Sequence, residues 1–367
     1  MAETRLAALH TRGQSIWIDL LSRHLVHSGE LQRLIDEDSV TGLTSNPSIF
    51  QKAISQGNDY DAQIRRCLEE TDDPREIFFE LAIDDVRAAC DVFRPVWDES
   101  DGHDGFVSLE VDPGLAFDTQ ATFDQAIDLH QRVDRPNLYV KIPATKAGLP
   151  AIEDCIARGV PINVTLIFSL ERYREVVTAY QHGIARLRAA DGDLGAVSSV
   201  ASFFVSRLDT EADARLDARG NTSLQGKLGI ANAKLAYKHF QEAFAGSEWE
   251  SLAAAGASVQ RPLWASTSTK NPAYRDVMYV EELVGPDTVN TMPLETLEAF
   301  RDHGEVRGDT VLEDVAGAEQ LLRDLQAAGV DYDDVVAKLE TEGVQKFADA
   351  FDDLISGLES RQGELAA

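Results

Sequence analysis

Cysteine is scarce in this chain: Cys67, Cys90 and Cys155 are the only three among 367 residues. None belongs to a CxxC pair and the number is odd, which argues against a disulfide framework and against a zinc site. Reduced, partly buried thiols of a cytoplasmic protein are expected instead. Basic residues are also few, 34 Lys and Arg against 63 Asp and Glu, a formal net charge of -29. A field of that sign repels nucleic acid and anionic membranes. It still permits anion binding, because a local cluster of cations and backbone amides can reverse the sign inside a cleft. No apolar run approaches the roughly 20 residues of a membrane helix. The N-terminal stretch MAETRLAALHTRGQSIWIDL has no basic region followed by an apolar one, so no signal peptide is expected. There is no GxGxxG after a strand, no P-loop and no HExxH, which removes the support for dinucleotide, nucleotide and metalloprotease chemistry.

What is there is alternation. Strand-like runs over 15–20, 42–47, 106–111, 138–142, 161–168, 199–205, 262–267 and 289–293 are separated by helical patterns. Helices are predicted over 59–70, 74–93, 119–133, 147–158, 169–190 and 224–245, with the Asp73-Pro74 pair starting one of them. About eight β/α repeats point to parallel strands with helices outside, closed as a (β/α)8 barrel. The barrel core is expected over about 14–300 of a single domain spanning 1–367. The acidic stretch 98–105 reads as a loop insertion, and 311–360 as additional C-terminal helices packed on the outside of the barrel.

In such a barrel the catalytic groups sit at the C-terminal ends of the strands. Those ends offer Asp19, Asn46, Glu110, Lys141, Asn163 with Thr165, Ser202, Ser266 and Asn290. So many inward polar groups are costly unless used. Lys141 stands out in the apolar run Leu138-Tyr139-Val140-Lys141-Ile142. It could snorkel from an edge strand. Burial of a lysine disfavours its charged form, and a neutral amine is a nucleophile towards carbonyls, the usual route to a Schiff base. Asp19 and Glu110 would then be the proton-transfer groups, although a strand-end Asp or Asn can equally cap the next helix.

Several segments, taken together and in order, resemble the transaldolase family. They are Gly42-Leu43-Thr44-Ser45-Asn46-Pro47-Ser48, Ser108-Leu109-Glu110-Val111-Asp112-Pro113, Val140-Lys141-Ile142-Pro143-Ala144-Thr145, and Asn163-Val164-Thr165-Leu166-Ile167-Phe168-Ser169. Ala201-Ser202-Phe203-Phe204-Val205-Ser206-Arg207-Leu208-Asp209 and Leu263-Trp264-Ala265-Ser266-Thr267 complete the set. The chain most resembles the longer bacterial branch of that family, with the 98–105 insertion and the helical tail as its extras. The resemblance implies lysine-based transfer of a dihydroxyacetone unit from sedoheptulose 7-phosphate to glyceraldehyde 3-phosphate, giving erythrose 4-phosphate and fructose 6-phosphate. That is a step of the non-oxidative pentose phosphate pathway, and it implies neither metal nor organic cofactor.

The same resemblance assigns roles. Lys141 forms the imine, Glu110 works through a water held by Thr165, and Asp19 takes the proton of the C4 hydroxyl. Asn46 and Asn163 hold hydroxyls of the dihydroxyacetone unit, and Ser202 lines the pocket. Arg207 matches a phosphate-binding arginine, with a salt bridge to Asp209 or another acid as the plainer alternative. Where the family often has Ser-Phe-Arg-Asn, this chain has Ser266-Thr267-Ser268-Thr269-Lys270-Asn271-Pro272. Ser266 carries over, and Lys270 stands for the arginine as a point charge without a bidentate fork. Lys146 reads as a loop or helix-start lysine, and Asn290 as a strand-end group of no assigned role. Sugar phosphates are the expected partners, nucleic acid and membrane are not, and the chain is expected to be a monomer or homodimer. An aldolase releasing free dihydroxyacetone and a non-catalytic sugar-phosphate-binding barrel remain as alternatives.

Overall fold

The computed structural model describes residues 4–55 and 57–366. Eight strands close a barrel in chain order. They are β1 Gln14–Asp19, β2 Val40–Thr44, β3 Phe106–Glu110, β4 Leu138–Pro143, β5 Ile162–Ile167, β6 Ser199–Phe204, β7 Gln260–Ala265 and β8 Thr288–Met292. All neighbours run parallel, and β1 pairs with both β2 and β8. The expected (β/α)8 barrel with extra C-terminal helices is therefore present. The outer faces of the strands are mostly apolar because helices cover them, with Gln14, Ser199, Gln260, Thr288 and Asn290 as buried polar exceptions, which is why these segments read as near-continuous hydrophobic runs.

The inner face explains where polar groups can sit. Trp17, Phe106, Tyr139, Val200, Leu263 and Val289 form one apolar cluster inside the N-terminal half of the barrel. The rings of Phe106 and Tyr139 stack with centroids 4.1 Å apart. At Gly42, the equivalent place on β2, a Cβ would lie 2.4 Å from the Trp17 indole, so only glycine leaves room for the ring. Strand side chains alternate with period two. Two residues beyond this apolar layer come Asp19, Thr44, Ser108, Lys141, Ser202, Ala265 and Thr291. The polar layer thus rests on an apolar floor.

Two expected boundaries change. The helix Pro74–Glu99 runs past 93 and takes in the start of the supposed 98–105 loop. The rest of that loop plugs the N-terminal mouth. Asp104 accepts hydrogen bonds from the Ser15 hydroxyl and, at 2.8 Å, from Trp17 Nε1. Arg261 donates to His103 O at 2.9 Å and to Thr288 O at 2.8 Å. Helices Arg5–Thr11, Arg23–His27, Pro47–Ser55, Ser206–Asp217, Ser247–Ala253, Met278–Glu281 and Leu294–His303 are additional to those the sequence pattern predicts. Cys67, Cys90 and Cys155 are free thiols.

The C-terminal tail is helical, but its placement corrects the expectation that it packs outside. Helix Val315–Ala327 does so, with Ala318 against Ala231 and Leu235. The final helix, Tyr332–Ala366, instead crosses the C-terminal mouth of the barrel. Its 35 residues span about 50 Å. One end is tied by Lys338 to Glu211 (2.6 Å) and the other by Arg361 to Asp61 (2.7 Å). Between them Gly343 lies against Phe168, and Phe351 stacks edge-on with Phe78 at 5.3 Å. The reason is a buried apolar edge, Val335, Leu339, Val344, Phe351, Leu354 and Leu358, which needs the rim of the mouth as its partner.

Candidate active site

Lys141 is buried, at 5 % exposure, and does not snorkel from an edge. In a closed barrel there is no edge, and its strand position points it inward. Nζ lies 3.2 Å from Glu110 Oε2 and donates to Ser45 O at 3.1 Å. Glu110 and Lys141 are register partners on β3 and β4, and Lys141 and Asn163 on β4 and β5. Burial pushes Glu110 up to about 7, with Lys141 pulling the other way. A carboxyl poised there can both give and take a proton near neutrality.

Asp19 ends β1 and opens onto the same cavity. Its carboxylate accepts from Thr44 Oγ1 at 2.8 Å and from Asn46 Nδ2 at 3.3 Å. Burial raises its pKa, opposed by the charge of Lys141 and these hydrogen bonds. Asn46 serves two purposes at once. Its Oδ1 accepts Ile49 N at 3.1 Å and caps the helix that begins at Pro47, while Nδ2 faces Asp19. The capping and functional readings of this residue are compatible.

Asn163 and Ser202 form a second chain. Ser202 Oγ donates to Asn163 Oδ1 at 2.7 Å, and Asn163 Nδ2 donates to Ser108 Oγ at 3.0 Å. Thr165 lies on β5 just where its register with β6 slips, and the next residue, Leu166, has φ +60°. Such a bulge re-aims a side chain at a barrel rim. Thr165 Oγ1 is buried and has no hydrogen-bond partner among the described residues.

Lys141, Asp19, Asn46, Thr165 and Ser202 line a cavity of about 290 Å³ with Arg207, Ser266 and Lys270 at its polar rim. Arg207 does not pair with Asp209. Asp209 instead accepts from Gly229 N (2.8 Å) and Tyr279 OH (2.7 Å), and burial holds it up at about 6. The guanidinium lies over the Phe204 ring at 4.9 Å, and its buried Nη1 has no partner among the described residues. Burial lowers its pKa, opposed by Asp19. Ser266 takes φ +56° and its hydroxyl meets that of Ser206 at 2.9 Å. Lys270 is exposed and donates to Ser268 Oγ at 2.7 Å.

A buried strand lysine beside a carboxyl, with a second carboxyl and a cationic rim in one cavity, can be compared with known proteins. Residues 16–358 match the family model described as Transaldolase/Fructose-6-phosphate aldolase. The chain belongs to this family of enzymes. It is 53% identical over 354 residues to a protein named Transaldolase from Mycobacterium tuberculosis (strain ATCC 25618 / H37Rv), covering 95% of each chain. It is 52% identical to the Transaldolase of Mycolicibacterium paratuberculosis, covering 98% of this chain and 97% of that one. Against the Transaldolase of Mycobacterium leprae (strain TN) the identity is 51% over 365 residues.

Of the strand-end residues of this transaldolase-family barrel, Glu110 and Asn163 sit behind the cavity lining, in contact with Lys141 and Ser202, whereas Asn290 faces away from it. It is an outward position of β8, held by Thr267 Oγ1 at 2.9 Å. The inward neighbour Thr291 lines the cavity and meets Thr44 at 2.7 Å. A one-residue step reverses the face of a strand, and the inward parity of Val289 was the signal that could have found Thr291. Ser48, Lys346 and Phe347 also line the cavity. Phe347 places its ring 5.4 Å from Lys141 Nζ. It comes from the C-terminal helix, and nothing in its local sequence marks it.

Proposed function

We propose that the chain is a transaldolase, moving a dihydroxyacetone unit from sedoheptulose 7-phosphate to glyceraldehyde 3-phosphate. The observation that carries the reading is the buried Lys141 amine, 3.2 Å from Glu110, in the cavity that also holds Asp19. Lys141 attacks the ketone C2. Glu110, through a water held on the free hydroxyl of Thr165, delivers the proton with which the carbinolamine loses water. Asp19 takes the C4 hydroxyl proton, the C3–C4 bond breaks, and its electron pair passes into the imine to leave an enamine on Lys141. The first aldose phosphate departs. The second aldehyde is attacked by the enamine carbon, and Asp19 returns its proton to the new C4 oxygen. Water then releases the product.

Asn46, Asn163 and Ser202 would hold the hydroxyls of the three-carbon unit, and Arg207, Ser266 and Lys270 the phosphate. An unpaired Arg207 Nη1 suits that task, since a phosphate oxygen satisfies it. The roof formed by Phe347 favours transfer over hydrolysis by screening the held enamine from water. The mechanism calls for no metal and no organic cofactor, because the imine is the electron sink. No helix among the described residues is long and apolar enough to cross a membrane, and we place the enzyme in the cytoplasm, as one unit over 1–367, monomeric or homodimeric.

The test follows erythrose 4-phosphate and fructose 6-phosphate on mixing the two substrates, and free dihydroxyacetone on supplying fructose 6-phosphate alone. Transfer should be much faster than release. Release as fast as transfer would favour the aldolase instead.

A further inference from the structure

We propose that Lys346, on the C-terminal helix, is a phosphate-binding residue of the sugar-phosphate site. The inference rests on the reading of the site given above. Lys346 lines the cavity together with Arg207, Ser266, Ser268 and Lys270. Its neighbour Phe347 reaches to 5.4 Å from Lys141, so this turn of the helix faces inward over the site. Among the described residues Asp19 is the only acidic group of that lining, in a chain of net charge -29. Cations facing a cavity nearly free of carboxylates concentrate positive potential there.

Lys346 is also free to respond. Its ion pair is with Glu342, one turn back on the same helix, at 3.2 Å, with side-chain exposures of 60% and 42%. Exposed pairs of this spacing are weak and salt-screened. A phosphate dianion competes easily for such an ammonium. The rim otherwise offers one guanidinium fork, Arg207, and one exposed point charge, Lys270. A second flexible lysine from the opposite side closes the anion between β-strand loops and roof. The roof helix thereby becomes part of substrate recognition, acting on the phosphate and not on the carbon chemistry.

The experiment compares the wild type with Lys346→Met and Lys346→Arg. Half-saturation by fructose 6-phosphate should rise about tenfold in K346M, the size expected for one exposed charge-assisted contact, with kcat within about threefold. The same change measured with unphosphorylated fructose should be at least about five times smaller, and K346R should recover most of the loss. Orthophosphate titrated calorimetrically should bind K346M about tenfold more weakly, a readout independent of imine formation at Lys141. Equal effects on fructose and fructose 6-phosphate, or an unchanged orthophosphate affinity, would overturn the assignment while leaving the lysine mechanism intact.

Discussion

At the N-terminal mouth of the barrel, Asp104 is matched by Ser15, by Trp17 Nε1 at 2.8 Å and by Arg261 at 4.0 Å. At the C-terminal mouth, burial shifts Asp19 and Glu110 upward, and Thr165 Oγ1 and Arg207 Nη1 have no partner among the described residues. Both ends bury charge in the same fold. Burying polar groups costs free energy unless they are paired. At one end the protein supplies the partners itself, so the charges fasten a loop to the strands. At the other, some groups are left without a partner among the described residues, and in the proposed mechanism a substrate supplies those partners while the raised pKa values ready the carboxyls for proton transfer. The stabilising and the reactive uses of charge are separated by one apolar layer, Trp17, Phe106 and Tyr139.

That contrast can be broken from either side. The largest effect is expected for Lys141→Met, which should lower turnover by about ten-thousandfold or more, as loss of a covalent nucleophile does. Its urea midpoint should fall less than that of Asp104→Ala, because Glu110 can turn neutral when its partner is lost. Asp19→Asn should lower kcat about a thousandfold in steady-state assays, with folding judged by circular dichroism unchanged. Glu110→Gln should cost about a hundredfold and change the pH profile. Burial keeps Glu110 protonated until about pH 7. The acid form, which in the proposed mechanism dehydrates the carbinolamine, is therefore lost as pH rises through 7, and pre-steady-state imine formation should slow on the alkaline side. In E110Q that limb should vanish. The smallest effect on activity is expected at the other mouth: Asp104→Ala should leave kcat/KM within about twofold. It should still cost about 2 kcal/mol in urea unfolding, because Trp17 Nε1 and Ser15 lose their acceptor. A D104A variant as inactive as D19N would erase the distinction.

The barrel was legible because strands covered on both faces read as short apolar runs, and Lys141 because a charge within such a run is conspicuous. Asn46, Glu110, Asn163, Ser202 and Arg207 followed from strand ends and from family segments, and all of them except Glu110 and Asn163 directly line the cavity wall. Glu110 and Asn163 lie behind it, linked through Lys141 and Ser202. Thr44 and Thr291 were hidden because threonine is an ordinary strand residue. Helix Ser206–Asp217 was missed because its sequence, SRLDTEADARLD, shows too few apolar positions to announce a buried face. The roof is the least legible part. Its residues are separated from Lys141 by about 200 positions in an amphipathic helix that fits any outer surface, and only the closed barrel reveals which surface it covers.

The central claim is that Lys141 is the covalent nucleophile. Borohydride reduction in the presence of fructose 6-phosphate, followed by peptide mass spectrometry, tests it most directly. A reduced dihydroxyacetone adduct on the peptide carrying Lys141, absent in K141M, is the predicted result. An intact, folded protein with no adduct, or an adduct on Lys146 or Lys270 instead, would contradict it.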